Sequence, residues 1–489
     1  MPRSRSIVVI LLMALSLAAC TSRDKVAAAA AAEAETAFRQ GRNQAAVRAI
    51  REALAARDDV SDYWLLLGRI STATKDLPGA FEAYENVIQL DRGNVEALRL
   101  LCQLGVSIGA PDKVDKYADM LLLLTPGDPL PIVMKGGAAL QRGDTKGGLE
   151  FAEQVLSKDP QNIPALILKG RVLAANGDVV GAAKLIEDSP TGSEDDGARL
   201  TVLKELYTKA GDRTNYQLTI KRLAAAMPDD PSKQLEYADM LYQIGQANAA
   251  NAVITEQMKR HPDDTNVGAE IVDVWLKQGP DALSPDQIVR QAAGVSLEMK
   301  SAYARLANEI GRADLTKAII PRNFESSGSL PAKLDAKAAV AYADGLSGRR
   351  ADAIGRLDEI LEGDEAHPGA LLARARLKAI GNDLSGAIAD ARRVVADDPH
   401  NVPARLSLVD FLVERGDLDL ALSGLREGIS ALPDEPRLAS ALAELLLKRG
   451  DRSGAVKVMR DLAIAAPVSL RALRLRAKWD PSAPSLATK

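Results

Sequence analysis

The sequence predicts an all-α solenoid of paired helices, and three recurrent features carry that prediction. Glycines able to stop a helix recur at intervals of about 34 residues or multiples of it, small residues stand at matched positions on both helices of each pair, and prolines close most units. At 489 residues the chain exceeds the roughly 100–200 typical of one globular domain. It must be several domains or one extended array, and the recurrence favours the array.

The turn within each pair is marked by Gly41, Gly109, Gly143-Asp144, Gly177-Asp178, Gly211-Asp212, Gly245, Gly348, Gly416-Asp417 and Gly450-Asp451. Glycine accepts the left-handed conformation that ends the first helix, and aspartate suits the start of the second. Five residues after the glycine a small residue is favoured, as at Ala46, Gly148, Ala182, Ala250, Ala353, Ala421 and Ala455. Gly68, Gly136, Gly170, Ala238, Ala341, Ala375 and Ala443 match them on the first helix, so the two helices can approach closely. Pro126, Pro160, Pro228, Pro262, Pro399, Pro433 and Pro467 then forbid continuation of the second helix.

This two-helix unit resembles the tetratricopeptide repeat (TPR), most fully where Trp64, Gly68, Ala80, Tyr84 and Val87 stand in one unit. Units begin near Ala27, Ser61, Val95, Pro129, Ile163, Gly197, Pro231, Thr265, Leu297, Leu334, Pro368, Val402 and Pro436. The resemblance implies a right-handed superhelix of about thirteen helix-turn-helix repeats. Register weakens at 189–196, at Gly279-Pro280-Asp281 with Ser284-Pro285, and at 321–331. Three subarrays are expected, at 27–190, 197–320 (degenerate near 279–300) and 334–469, followed by a capping helix at 470–480 and a flexible tail at 481–489. No stretch remains for a separate catalytic domain.

The N-terminus reads as an export signal. Arg3 and Arg5 precede an apolar run from Ile7 to Leu17, too short for the roughly 20 residues that span a bilayer. Leu17-Ala18-Ala19-Cys20 resembles the lipobox of bacterial lipoproteins. That resemblance implies a signal peptide at 1–19, acyl chains on Cys20, and a tether at 20–26. Thr21, where an aspartate would retain the protein at the inner membrane, implies a periplasm-facing place on the outer membrane of a Gram-negative cell.

Charge and composition narrow the partners. The chain has 62 basic and 66 acidic side chains, interspersed, and loses Arg3 and Arg5 with the signal, leaving 60 against 66 for a net of −6. No basic face emerges, so nucleic acid is not expected. Aromatics make up only 3%, too few for a sugar-stacking platform. No CxxC, HExxH, GxSxG or GxxxxGK pattern occurs. His261, His367 and His400 fall at separate inter-repeat turns, which argues against a shared metal site. Cys102 takes a small-residue position and is expected to be buried, and Trp64, Trp275 and Trp479 read as structural. No enzyme activity, cofactor or small-molecule substrate is expected.

The functional surface is then the wall lined by first helices. The residue after each small one gives a candidate partner-binding set: Arg69, Arg171, Glu205, Asp239, Asp273, Tyr342, Arg376, Asp410 and Glu444, with Gln103 and Gly137 between them. Glu205, Asp239 and Asp273 fall in successive units and are expected to stack as an acidic stripe suited to a basic segment, or else simply to solvate an exposed face. Together these readings imply a membrane-anchored periplasmic scaffold with protein partners in the envelope. Full-length repeats and an anchor resemble the TPR lipoproteins of exopolysaccharide synthesis and export. The alternative is a TPR lipoprotein serving outer-membrane protein assembly or recruiting peptidoglycan enzymes, and an enzyme acting on cell wall or glycans is least favoured.

Overall fold

The computed structural model describes residues 23–39, 43–74, 76–190, 196–279, 283–326 and 328–483. The expected signal peptide at 1–19, Cys20, Gly41 and residues 484–489 lie outside the described residues. Thirteen helix pairs and one closing helix are present, with no strand among the described residues. They divide into two units, one ending at Asp195 and the other beginning at Asp196.

In the first unit α1 (23–39) pairs with α2 (Asn43–Ala56), and α3 (Ser61–Ala73) with α4 (Leu77–Leu90). Then come α5 (Val95–Ser107) with α6 (Pro111–Leu124), α7 (Leu130–Gln141) with α8 (Thr145–Leu156), and α9 (Ile163–Ala175) with α10 (Val179–Glu187). The second unit begins with α11 (Asp196–Ala210) and α12 (Arg213–Ala226), α13 (Pro231–Gln243) and α14 (Ala247–Arg260). It continues through α15 (Thr265–Gln278) and α16 (Pro285–Ala292), α17 (Leu297–Glu309) and α18 (Thr316–Ile319), α19 (Leu330–Leu346) and α20 (Arg350–Gly363). The last pairs are α21 (Pro368–Ile380) with α22 (Leu384–Asp397), α23 (Val402–Arg415) with α24 (Leu418–Ala431), and α25 (Pro436–Lys448) with α26 (Arg452–Ala465), before the closing α27 (Leu470–Trp479).

The turns follow the sequence expectation. Gly109, Gly143, Gly177, Gly211, Gly245, Gly348, Gly416 and Gly450 all take φ between 67° and 100°. In the α21–α22 turn the left-handed residue is Asn382, at φ 66°, a role the side chain can fill because asparagine tolerates this region. Asp144, Asp178 and Asp451 each accept the N–H three residues on, at 2.8 Å, and Asp212 does so at 3.1 Å. Asp417 makes no such cap, because Arg415 holds its carboxylate.

Five hairpins share a pattern the sequence reading did not single out: Asp76/Gly79, Asp144/Gly147, Asp178/Gly181, Asp383/Gly386 and Asp451/Gly454. A Cβ at Gly147 would lie 2.2 Å from Asp144 Oδ2, so glycine gives the capping carboxylate its room. Close packing between helices follows the same logic. A Cβ at Gly68 would lie 2.5 Å from the Tyr84 ring, and one at Gly136 2.3 Å from Leu168. Ala46, Ala182, Ala250, Ala353, Ala421 and Ala455 are fully buried.

Cys102 is fully buried in the core of α3 to α6. Trp275 is the largest fully buried side chain of the second unit; its ring sits 5.1 Å from that of Tyr303, and its Nε1 donates to Tyr242 Oη at 3.1 Å. Trp64 is half-buried and donates to Asp58 O at 2.7 Å, and Trp479 packs on the core of the last repeats.

The irregular places have identifiable causes. The α10 helix has nine residues where most second helices have fourteen, consistent with the polar break after Ser189. The α16 helix has eight, starts from a Ser284/Gln287 capping box and packs on α17. After Gly311, at φ 77°, the next second helix shrinks to the four residues of α18 before Pro321 stops it, a truncation the sequence reading missed. Buried Asp344 ties this remnant in place, pairing with Lys317 at 2.8 Å, with Arg356 at 2.7 Å and with Arg349.

Residues 321–331, read as a joint between two subarrays, do not separate compact units. Here α17 packs directly on α19, Glu298 accepts the Ser329 N–H at 2.8 Å, and Ser301 Oγ donates to Ala332 O at 3.1 Å. At the C-terminus, the described part of the expected flexible tail is tied down: Ser482 and Arg460 both bond Asp480, which is only 2% exposed.

Candidate interaction surface

First helices carry the candidate residues in both units. In the first unit Arg69 on α3 grips Glu96 on α5 with three hydrogen bonds of 2.6–2.9 Å, so this guanidinium is already engaged between neighbouring repeats. Arg171, on α9, is exposed.

In the second unit the stripe is only partly a stripe. Glu205 on α11 is exposed, whereas Asp239 on α13 and Asp273 on α15 line a cavity of about 670 Å³ and are met across it by arginines from the far end of the array. Arg471 Nη2 donates to Asp239 Oδ1 at 3.0 Å and to Gln278 Oε1 at 2.7 Å. Asp239 also accepts from Gln243 at 2.8 Å and from Gln278 at 2.7 Å, while Ser469 Oγ bonds Gln243 Oε1 at 3.2 Å. Arg437 Nη2 donates to Asp273 Oδ1 at 2.6 Å, and the Nε and Nη2 of the same guanidinium each donate to Glu435 at 2.8 Å.

The expectation of an acidic stripe open to a basic segment is thus corrected at two of its three members. Asp239 and Asp273 both line the cavity, and the chain's own guanidinium groups occupy them. Burial would raise the Asp273 carboxyl; Arg437 and Lys277, the latter at 2.9 Å, outweigh it and hold the group below the usual carboxylate range.

A second site of about 270 Å³ lies along α17, α19 and α21. Its wall holds Arg376 and Tyr342. Arg376 makes a two-pronged pair with Glu309 at 2.8 and 2.9 Å and bonds Ser407 Oγ at 3.0 Å. Burial pushes the Tyr342 phenol upward, against the pull of Arg376. Asp335 on the same wall is also raised by its burial, with His367 Nε2 at 3.5 Å opposing the shift. His367 is itself nearly buried and caps α21, its Nδ1 accepting the Ala370 N–H at 3.1 Å. Asp410 and Glu444 lie exposed on α23 and α25.

Sequence reasoning missed Arg437, Arg471 and Glu309. A signal was there for two of them: Arg437 and Arg471 are 34 residues apart, as are Asp239 and Asp273. Among the described residues no group of three or more His, Cys, Asp or Glu side chains is placed to hold a metal ion, and no helix is long and apolar enough to cross a membrane.

Models of the tetratricopeptide repeat match residues 139–206 and 381–445, and a further tetratricopeptide-repeat model matches 31–95. The fold is that of a TPR α-solenoid, an architecture that points to protein–protein interaction. Among solved structures, yeast Tom70 aligns over 94% of this chain and 96% of its own at 12% identity, with a TM-score of 0.34. A thermophilic TPR protein from Thermus thermophilus aligns over 37% of this chain and all of its own at 18% identity and a TM-score of 0.33. Pseudomonas aeruginosa pilF aligns over 45% of this chain and 99% of its own, at 16% identity and a TM-score of 0.29. No curated protein matches the chain.

Proposed function

We propose that the chain is a non-enzymatic, lipid-anchored scaffold of the bacterial envelope, which gathers protein partners along its first-helix walls. The observation that carries the binding role is the run of helix pairs through the described residues, with tetratricopeptide repeats recognised in three segments of it. Each helix pair contacts mainly its neighbours, so such an array builds extended surface in place of a catalytic cleft.

The envelope assignment rests on sequence alone. Arg3, Arg5, the apolar run and the Leu17-Ala18-Ala19-Cys20 motif support export and acylation at Cys20, and Thr21 supports the periplasmic face of the outer membrane. Within that compartment, the length of the array and its anchor favour a structural role in an exopolysaccharide synthesis or export complex.

Two measurements test this. Cys20→Ser should abolish fatty-acid incorporation and release the protein from the membrane fraction; unchanged membrane retention would refute the anchor. A photo-crosslinker at exposed Glu205, Asp410 or Glu444 should capture components of a polysaccharide export complex in cells. Capture of outer-membrane assembly proteins or peptidoglycan enzymes would replace that pathway assignment.

A further inference from the structure

We infer that the C-terminal repeats form an autoinhibitory electrostatic latch, in which Arg437 and Arg471 close the second unit on itself and mask the Asp239–Asp273 wall. This rests on the scaffold reading above, because it concerns access to the same wall. The two contacts join residues 164 and 232 positions apart, so they bridge separate parts of the array and not neighbouring hairpins.

Their register argues against coincidence. The two aspartates occupy one repeat position on α13 and α15, and the two arginines occupy one repeat position on α25 and α27. The outer arginine meets the earlier aspartate and the inner arginine the later one, so the pairs close the array as two successive rungs. Amides support the rung at Asp239, since Gln243 and Gln278 also donate to its carboxylate and Gln243 Oε1 accepts from Ser469 Oγ and the Arg471 N–H.

The rungs are polar and partly wet. The Asp273 and Asp239 side chains retain 39% and 23% of their exposure, and the arginines 16% and 18%. They border a cavity large enough to admit an extended chain. A contact of this kind opens when a competing cation supplies the same hydrogen bonds, whereas an apolar seam would not. A segment bearing arginines has the chemistry to take the place of Arg437 and Arg471.

The test uses the full chain with spin labels at Ser232→Cys and Arg474→Cys, one on α13 and one on α27, both exposed. Pulsed electron resonance should give a short, narrow distance distribution in the unaltered array. That distance should lengthen and broaden in R437Q/R471Q with helical content retained. The isosteric pair D239N/D273N removes the latch from the opposite wall and should open the same distance, so a misfolded arginine variant does not decide the matter.

Binding is read separately with an oligo-arginine peptide by fluorescence anisotropy. R437Q/R471Q should bind it about tenfold more tightly than the unaltered chain, and R415Q/R449Q, which changes net charge equally at helix C-termini away from the rungs, should not. An unchanged distance in folded variants of both walls, or equal peptide affinity in the two arginine double variants, overturns the latch. Neither result bears on crosslinking at Glu205 or Glu444, so the scaffold reading stands or falls on its own test.

Discussion

Arg437 Nη2 lies 2.6 Å from Asp273 Oδ1, although 164 residues separate them, and this contact makes acid stability of the second unit depend on a long-range pair. The Asp273 carboxyl stands below its ordinary value, because Arg437 and Lys277 overcome the effect of burial. A depressed value in the folded state means that the stabilisation is fully present above the unfolded value near ~3.9 and is lost as pH falls through the folded one. Arg437→Gln should cost about 1 kcal/mol at neutral pH, in keeping with a partly exposed pair, and less once pH drops below about 4. Hydrogen exchange of α25 across that range measures it; a pH-independent loss would show that the pair is not the cause.

Arg376 is a stronger case because its acidic partner is more deeply placed, Glu309 keeping 12% exposure against 39% for Asp273. Arg376→Ala leaves Glu309 charged and unpaired, and should lower stability by about 3 kcal/mol. Glu309→Leu with Arg376→Leu should recover much of that, since replacing a buried pair together avoids the orphaned charge. A denaturation series over the single and double variants checks the non-additivity.

The capping glycines predict another coupled pair. Gly147→Ala pushes a Cβ into Asp144 and should cost about 1 kcal/mol, as should Asp144→Ala. The double variant should lose little beyond either single one, because both break the same cap. Additive losses in thermal melts would refute the coupling.

At Asn382 the backbone itself is under test. Asn382→Ala should destabilise the α21–α22 hairpin by about 1 kcal/mol, while Asn382→Gly should match or exceed the original in a thermal melt.

Cys102 should be chemically silent. Burial pushes its thiol up to about 12, so near pH 8 almost no thiolate forms, and the surrounding core blocks reagents. In a Cys20→Ser chain a thiol-specific chromogenic reagent should find nothing until guanidinium unfolds the protein. Rapid labelling of the native chain would contradict the packing.

The outline of the fold was legible because its determinants are local. A glycine at φ above 60°, an aspartate beside it and a small residue five positions on all act within one hairpin, so Gly143, Asp144 and Gly148 can be read without knowing any other repeat. That Asp239 and Asp273 share one repeat position was legible for the same reason, since helical periodicity fixes which side of a helix a residue takes. What they meet was not, because the curvature of a solenoid sums small rotations over many repeats and no single unit encodes it. Arg437 and Arg471 lie at the starts of their helices, away from the position used to select the wall. The four-residue α18 was missed because a second helix was assumed after Leu297, although Pro321 leaves it little room.

Arrays of this kind ordinarily gain or lose whole repeats at small cost, because each unit answers only to the next. The paired rungs Asp239–Arg471 and Asp273–Arg437 impose a gauge on that freedom. Inserting or removing one repeat between residues 273 and 437 would shift one wall by a full pitch and leave the aspartates facing the wrong helices. The second unit therefore keeps count of its own repeats, and internal duplication, the usual way for such proteins to lengthen, is penalised there.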